Sequence, residues 1–392
     1  MKEIYLDHSA TTRVDERVLQ KMLPYFTEIY GNANSQHGYG REALKGVDWA
    51  RDTIAELINC HPSEIYFTSG GTESDNWALK GIASSHKEKG KHIIISAIEH
   101  AAMIASCKDL EKQGFSVTLC PVHKDGIIDL EFLKNAIRDD TILISCMLAN
   151  NEVGTIEPIK EIVKIAKEKG ILVHTDAVQA MSSLKVDVKD LGVDLMSFSS
   201  HKFNGPKGVG ALFIKTGVKI DRLITGGHQE RTRRGGTTNV PGVIGMAEAL
   251  RLARLTMDED NAHIKALRDH FVERVEKEIP YVRYNGSREN RVVSNADFSF
   301  EYIEGESILF MLDLSGIAVS SGSACSSGSL DPSHVLLAIG VPIEIAHGSI
   351  RFSFGKENTM EETDYAVDKL KEIIAKLRAM SPLYSEKENK NV

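Results

Sequence analysis

The chain has 392 residues, more than one hydrophobic core usually supports, so we expect two domains. Its net charge of −8 offers no positive field to nucleic acid or an anionic membrane, and no apolar run approaches the roughly 18 residues that span a bilayer. The N-terminus lacks the pattern of a signal or transit peptide and the five cysteines lack CxxC spacing, so we predict a cytoplasmic protein without a disulfide framework.

From about residue 64 the chain alternates short β-rich runs with helical patterns. The β-rich runs are EIYFTSG, HIIISAIEH, TILISCMLANN, ILVHTDAVQA, DLMSFSSHK and GVGALFIK. Such alternation is typical of βαβ units and predicts a mostly parallel sheet with helices on both faces. In these sheets the functional site lies beyond the carboxyl ends of the strands. The polar clusters TSGGTES, EH, ANNE, HTDAVQ and SFSSHK all fall at such ends.

The pattern changes after a long helical stretch, roughly residues 240–278. Strand-like VSNADFSFEYI, helical ESILFMLDLSG and strand-like IAVSS and SIRFSFG follow it. The closing helix places one apolar face at core-facing spacing: Val367, Leu370, Ile374 and Leu377. We therefore predict an α/β fold with a large domain over residues 14–256. A smaller α+β domain would comprise residues 1–13 and 257–392.

Two of the strand-end clusters carry ionisable side chains that suit catalysis. SFSSHK places Lys202 at a strand end, where a lysine directed into the crevice would lose its charge readily. HTDAVQ places Asp176 at another strand end, and EH places His100 at a third. Taken singly, Lys202 is more simply explained as a surface lysine that enters a turn, and Asp176 as a helix cap.

The cluster SGGTES joins a strand to a helix. Its glycines let the backbone approach a ligand, and the helix N-terminus favours an anion. It lacks the lysine of a P-loop and does not match GxGxxG, so nucleotide binding is not indicated. Ordinary helix capping remains an alternative.

Together these residues meet the requirements of pyridoxal 5′-phosphate (PLP). Lysine can form a Schiff base, an aspartate can pair with a protonated ring nitrogen, an imidazole can stack on the ring, and helix-end amides can hold the phosphate. Arg351 in SIRFSFG adds a fork suited to an α-carboxylate, although a surface salt bridge is its simpler explanation. Residues 320–329, SSGSACSSGS, place Cys325 among small polar residues that we expect to form a mobile loop.

The sequence resembles the NifS/IscS-type cysteine desulfurases, class V aminotransferase-like enzymes of PLP fold type I. The resemblance covers nearly the whole chain. Its motifs are YLDHSATT, GNANSQH, TSGGTESDN, EH, NNEVGT, HTDAVQ, SFSSHKFNGPKG, RRGGTTN, SGSACSSG and SIRFSFG. SHK with HTDAVQ indicates the superfamily, whereas SGSAC followed by SIRFSFG is more specific to desulfurases.

The resemblance implies a role for each matching position. Lys202 would be the Schiff-base lysine and Asp176 the partner of the pyridinium nitrogen. His100 would stack on the ring and move protons on the substrate. Gln179 and Asn151 would hydrogen-bond the region of the ring's 3′-oxygen.

The phosphate and the substrate carboxylate would have their own groups. Thr237 would reach the phosphate of a neighbouring subunit, which implies a homodimer with shared sites. Arg351 would bind the substrate carboxylate, helped by Asn34 or Asn150. The phosphate itself would lie among Gly71, Thr72, Ser199, Ser200 and His201.

The implied reaction converts L-cysteine to L-alanine and leaves the sulfur on Cys325 as a persulfide. The sulfur would then pass to an acceptor or iron–sulfur scaffold protein, and Cys325 is also a possible transient iron–sulfur ligand. Selenocysteine lyase, cysteine sulfinate desulfinase and aminotransferase activities remain alternatives within the superfamily, though a plain aminotransferase needs no thiol on a mobile loop. A docking scaffold with a structural PLP is less well supported, since the residues for the full chemistry are present. A zinc or iron site is also less well supported, since no HxxxH or CxxC pair occurs.

Overall fold

The structure is a computed structural model that describes residues 3–321 and 332–385. Cys325 and most of the serine-rich segment around it lie outside the described residues.

The strands in the described part of the chain are numbered in order. They are β1 (Ile4–Tyr5), β2 (Ile65–Thr68), β3 (His92–Ser96), β4 (Ser116–Cys120), β5 (Thr141–Ser145), β6 (Leu172–Asp176), β7 (Leu195–Ser199), β8 (Gly210–Ile214), β9 (Val282–Tyr284), β10 (Asn295–Phe300), β11 (Ile317–Ala318) and β12 (Ser349–Ser353).

The α-helices of the same residues are numbered likewise. They are α1 (Glu16–Met22), α2 (Pro24–Thr27), α3 (Gly38–Leu57), α4 (Gly71–His86), α5 (Ala101–Glu111), α6 (Leu130–Ala136), α7 (Ile159–Lys167), α8 (Val188–Leu191), α9 (Val240–Glu278), α10 (Gly305–Leu314), α11 (His334–Ala338), α12 (Ile343–Ala346) and α13 (Met360–Ala379).

A seven-stranded sheet in the order β2-β8-β7-β6-β5-β3-β4 organises the first two thirds of the chain. Strand β8 runs antiparallel to both of its neighbours, β2 and β7, and the other pairings are parallel. The predicted mostly parallel α/β sheet is therefore confirmed. Because β8 alone is reversed, β2, β3, β5, β6 and β7 all end at the same edge, where the polar clusters meet.

The sheet is covered on both faces, and this explains the near-continuous apolar runs that marked its strands. Every residue of β3, β5, β7 and β8 is buried. One apolar cluster centres on Ile144, Phe198 and Phe213, and a second, around Trp77, Ile93 and Leu143, packs on the opposite face. Each face therefore needs the helices that the alternating pattern predicted.

Strand β4 and helix α3 are among the elements that our sequence analysis did not predict. Strand β4 is the partly exposed edge of the sheet, so its apolar pattern is weak. Helix α3 buries several small residues, Gly40, Ala43, Gly46 and Ala50, and fewer large ones, Val47 and Ile54. A Cβ at position 46 would lie 2.7 Å from the Tyr25 ring, so glycine permits this close packing. Small-residue faces give little hydrophobic periodicity.

A second group of elements forms around a three-stranded antiparallel sheet, β12-β10-β9. Phe271 of α9 lies at its centre, with ring centroids 4.6 Å from Phe352, 5.5 Å from Phe354 and 6.3 Å from Phe298. Ile4 also belongs to this cluster, because β1 pairs with β11. The predicted domain boundaries stay a prediction.

Helix α9 connects the two cores. Its 39 residues correspond to about 58 Å of helix. Residues near its start, such as Ile244 and Leu250, pack in the first cluster with α3 and α1, whereas Leu267 and Val275 pack in the second with α13. One rigid element thus ties the second sheet to the edge of the first.

Within residues 3–321 and 332–385, no helix is long and apolar enough to cross a membrane. The same residues contain no group of three or more histidines, cysteines and acidic residues that could hold a metal ion.

We expect Phe271→Ala to destabilise the second core. Phe271 is fully buried among three phenylalanine rings, and such a truncation costs about 3–5 kcal/mol in the free energy of unfolding. Chemical denaturation followed by circular dichroism measures this loss. Leu314→Ala, at a position 81% exposed, is the control and should change the free energy of unfolding by less than about 0.5 kcal/mol. Equal effects of the two substitutions would contradict this assignment of the core.

Candidate active site

A cleft opens at the edge of the large sheet where the parallel strands end. It encloses about 300 Å³, a size suited to a small molecule. Its walls come from the segment before α1, the N-terminus of α4, the ends of β3, β5, β6 and β7, and β12. The lining residues are Ser9, Ala10, Gly71, Thr72, Asp75, His100, Met147, Ala149, Asn151, Asp176, Val178, Gln179, Ser199, His201, Lys202 and Arg351.

Lys202 follows β7 in a short 3₁₀ turn, Ser200–Lys202, and points toward the cleft. Its Nζ donates to the backbone carbonyls of Ser9, at 2.5 Å, and Ala10, at 2.8 Å. These two carbonyls hold the amine in place at the cleft wall.

Asp176 ends β6 and is fully buried at the base of the cleft. Its Oδ1 accepts the Val178 N–H at 2.8 Å, so the capping alternative is partly correct, although no regular helix follows. Burial raises the pKa of Asp176, whereas that N–H and the positive charges of His100 and Lys202 act to lower it. The site thus surrounds this carboxylate with groups that favour its ionised form.

His100 is the N-cap residue of α5 and lines the cleft. Its Nδ1 accepts the Ala102 N–H at 3.1 Å, so the neutral ring carries its proton on Nε2. Burial lowers the pKa of His100, and the nearby carboxylate of Asp176 opposes that shift. The imidazole is thereby fixed in orientation and in tautomer.

Helix α4 begins with a bare N-terminus at the cleft. Gly71 is its first residue, and the N-cap residue Gly70 has no side chain to satisfy the first amides. A Cβ at position 71 would lie 2.9 Å from Val178, so only glycine fits there without a shift. Thr72 and Ser199 add hydroxyls beside these amides. This corner of the cleft can hold an anion.

Arg351, in β12, is 3% exposed and enters the cleft from the second sheet. Its Nη1 donates to the Asn151 carbonyl at 2.9 Å, and its Nη2 pairs with Asp7 Oδ1 at 3.0 Å. Its buried Nε has no hydrogen-bond partner in the part of the chain that the structure describes. Arg351 is therefore not a surface salt bridge but a buried, oriented cation with donor capacity left over.

Three further predicted residues complete the lining. Gln179 donates to the Ser9 carbonyl at 2.9 Å, and Asn151 lies beside Arg351. His201 makes a 3.1 Å contact from Nδ1 to the Thr11 hydroxyl, and burial, together with Lys202, lowers its pKa to about 4. His201 is thus a neutral hydrogen-bonding group at neutral pH.

Four predicted residues are not brought into this lining. Ser200 is buried under Gly205, Thr237 is exposed on the segment before α9, and Asn34 is exposed beside Asn32. Asn150 is 1% exposed, but its amide donates to the Ile98 carbonyl and its oxygen accepts the N–H groups of Glu152 and Val153. The proposed roles of these residues stay predictions, and Cys325 lies outside the described residues.

Several residues of the site carried no signal that our sequence reasoning used. Ser9 and Ala10 act through backbone carbonyls, which any residue supplies, and Asp7 orients Arg351 across 344 positions of sequence. Asp75 lies in the motif TSGGTESDN, four residues after Gly71 on the same face of α4, and helical spacing could have found it.

Comparisons with known proteins agree with this architecture. The sequence model of the class-V aminotransferase family matches residues 4–366. A curated relative named cysteine desulfurase IscS, from Dictyoglomus turgidum, is 54% identical and aligns over 98% of each chain. Another of that name, from Methanosarcina thermophila, is also 54% identical, over 97% of this chain and 94% of its own.

Solved structures give the same result. A NifS-like protein superposes with a TM-score of 0.91 at 42% identity, over 96% of this chain and 100% of its own. A structure of SspA in complex with cysteine superposes with a TM-score of 0.80 at 34% identity, over 91% of this chain and 100% of its own.

The buried carboxyl of Glu152 predicts a pH dependence of stability. Burial raises the pKa of Glu152 to about 8, although the Ser333 hydroxyl donates to it and Arg351 lies near. When the pH exceeds the ordinary pKa of a glutamate, the unfolded state releases this proton, whereas the folded state keeps it. The stability that this proton contributes is complete in acid and is lost as pH rises through about 8.

Glu152→Gln should remove this dependence. Between pH 5 and 8 the wild type should lose stability relative to the variant by at most about 1.4 kcal/mol per pH unit, as measured by denaturant unfolding at several pH values. Glu161→Gln, at an exposed position of α7, is the control and should follow the wild type. Parallel pH curves for wild type and Glu152→Gln would show that Glu152 is ionised in the folded protein.

Proposed function

The chain belongs to the class-V aminotransferase family and, within it, to the NifS/IscS-type cysteine desulfurases, and we propose that its cleft binds PLP and converts L-cysteine to L-alanine. Lys202, Asp176, His100 and Cys325 would be the catalytic residues. One observation carries this proposal: an amine, a buried carboxylate and an imidazole from three different strand ends line one cleft beside an uncapped helix N-terminus.

The residues present fit PLP. No ion pair joins Asp176 to a cation within residues 3–321 and 332–385, and a protonated ring nitrogen would give this buried carboxylate one. The bare N-terminus of α4, with Thr72 and Ser199, suits a phosphate, and His201 adds a neutral hydrogen-bonding group. When bound, PLP supplies an electron sink for the charge that develops on the substrate carbon.

Each side chain has a defined task in the proposed reaction. Arg351 would bind the α-carboxylate of L-cysteine, since its Nε is buried and has no protein acceptor among the described residues. Lys202, once its Nζ is released from the cofactor, would take the proton from the substrate Cα. His100 presents Nε2 to the cleft and would move protons on the substrate, because Nδ1 is occupied by the Ala102 N–H.

The sulfur leaves the substrate by transfer to a second thiol. The Cys325 sulfur would attack the substrate sulfur, so that an S–S bond forms while the C–S bond breaks and its electron pair goes to the carbon. Protonation of that carbon, Cβ, and the return of a proton to Cα would give alanine, and the sulfur would remain on Cys325 as a persulfide. A thiol of ordinary pKa is only a few per cent ionised at neutral pH, so the step needs a base or a site that favours the thiolate.

We extend the proposal to assembly and delivery. The enzyme would act as a cytoplasmic homodimer in which Thr237 reaches the phosphate site of the partner subunit. Its exposed position on the segment before α9 leaves it available for such a contact. The persulfide would be delivered to an acceptor protein, including an iron–sulfur scaffold, in keeping with the IscS relatives.

Incubation with L-cysteine tests the reaction. The wild type should form alanine and sulfide in the presence of a thiol reductant, and Cys325→Ala should form neither while it keeps the yellow absorbance of the lysine-bound cofactor. Lys202→Ala should lose the lysine–cofactor bond that borohydride traps in the wild type. Cys60→Ala, at a partly buried cysteine remote from the cleft lining, should retain activity. Full turnover by Cys325→Ala would refute the role of that thiol.

Arg351→Lys tests substrate binding separately. Lysine keeps the charge but loses the planar fork, so the KM for L-cysteine should rise by about tenfold or more while the dissociation constant of PLP changes by less than about twofold. Steady-state kinetics and cofactor titration measure the two constants. Arg13→Lys, at an exposed position, should alter neither. An unchanged KM for Arg351→Lys would show that the carboxylate binds elsewhere.

A further inference from the structure

Asp75 is a buried carboxyl group that the proposed reaction leaves without a task. It lies on α4 one turn after Gly71, is 1% exposed and lines the cleft together with Asp176. One of its oxygens, Oδ1, has no hydrogen-bond partner within the described residues. A carboxylate buried in this way is costly unless a cation or several donors compensate its charge.

The nearest basic group does not provide that compensation. His174 Nε2 lies 3.8 Å from Asp75 Oδ1, but the imidazole is held on both sides by hydroxyls. Its Nδ1 contacts Ser145 Oγ at 2.8 Å, and its Nε2 contacts Ser197 Oγ at 2.9 Å. Burial lowers the pKa of His174 to about 3, so the ring is neutral near neutral pH and brings no positive charge to Asp75.

The charge that most affects Asp75 is another carboxylate. Burial and the neighbouring Asp176 carboxylate raise the pKa of Asp75 well above its ordinary value, and a hydrogen bond from Ser197 only partly opposes this. Glu99, also fully buried, has a raised pKa for the same reasons, with Asp176 and Asp75 among its causes. Asp176 differs from both, because the Val178 N–H, His100 and Lys202 favour its ionised form.

Two adjacent carboxyl groups in a dry site cannot both be ionised cheaply, so one of them keeps its proton. Because its neighbours favour the ionised form of Asp176, the proton belongs on Asp75. We propose that Asp75 is a positioning residue that remains a neutral carboxylic acid and so leaves Asp176 as the anion at the base of the cleft. The inference rests on the proposed role of Asp176 as partner of the ring nitrogen.

The proton also sets the direction of the buried hydrogen bonds. A neutral Asp75 donates to Ser197 Oγ, Ser197 then donates to His174 Nε2, and His174 donates from Nδ1 to Ser145. Each of these three bonds then has one donor and one acceptor. An ionised Asp75 would reverse each bond and place a second negative charge beside Asp176.

Infrared difference spectroscopy on the full-length enzyme, with PLP and after its removal, tests the proton directly. Subtracting the spectrum of Asp75→Asn from that of the wild type at neutral pH should leave the C=O band of a protonated carboxyl that shifts in D₂O. A carboxylate band in its place would overturn the proposal. The cofactor-free measurement decides this point even if the enzyme were found not to use PLP.

The titration of Asp176 gives a second, independent test of whether Asp75 is charged. Its carboxylate band, assigned with Asp176→Asn, should titrate at the same pH in the wild type and in Asp75→Asn. A lower midpoint in Asp75→Asn would mean that Asp75 is charged in the wild type and would overturn the proposal.

Cofactor binding separates positioning from mere burial. Asp75→Asn keeps a neutral donor toward Ser197, so its dissociation constant for PLP should stay within about twofold of the wild type. Asp75→Leu removes the donor and should weaken binding by about tenfold, with Asp75→Ala as a substitute if the leucine variant does not fold. If Asp75→Leu and Asp75→Ala both bound PLP as tightly as the wild type, Asp75 would have no positioning role.

Discussion

The burial of Asp176 at the end of β6 is the constraint on which the site depends. A carboxylate that is removed from water must be surrounded by donors and positive charge, and the strand ends supply them from separate parts of the chain. Val178 contributes an N–H, and His100 and Lys202, from the ends of β3 and β7, also favour its ionised form. The same requirement explains why the neighbouring Asp75 is better placed to hold a proton than a charge.

The N-terminal segment is the second structural necessity, because it joins both cores at the cleft. The Leu6 N–H bonds to the Ala318 carbonyl and the Ser9 N–H bonds to Ser353, whereas the Thr12 N–H bonds to the His201 carbonyl. Between these anchors the Ser9 and Ala10 carbonyls hold the Lys202 amine. A shift of this segment would move the amine and Arg351 together, since Asp7 pairs with Arg351.

The two cores therefore contribute different chemistry to one site. The large sheet supplies the amine, the buried carboxylate, the imidazole and the anion corner, all at one edge. The second sheet supplies Arg351 through β12, and α9 fixes that sheet against the edge of the first. This division fits a desulfurase in which one part would hold the cofactor and the other would bind the substrate carboxylate and carry Cys325.

Local sequence patterns predicted six of the seven strands of the large sheet, all but β4, and the residues most closely tied to chemistry. Fully buried strands read as apolar runs, and polar residues at their ends, such as Lys202, Asp176 and His100, stand out by type and position. Family motifs added Cys325 and the desulfurase activity. Only the tertiary structure revealed the Ser9 and Ala10 carbonyls, the pairing of Asp7 with Arg351 and the engagement of Asn150 in its own turn. The physical reason is that backbone acceptors carry no residue identity, and a contact between residues 344 positions apart leaves no local pattern.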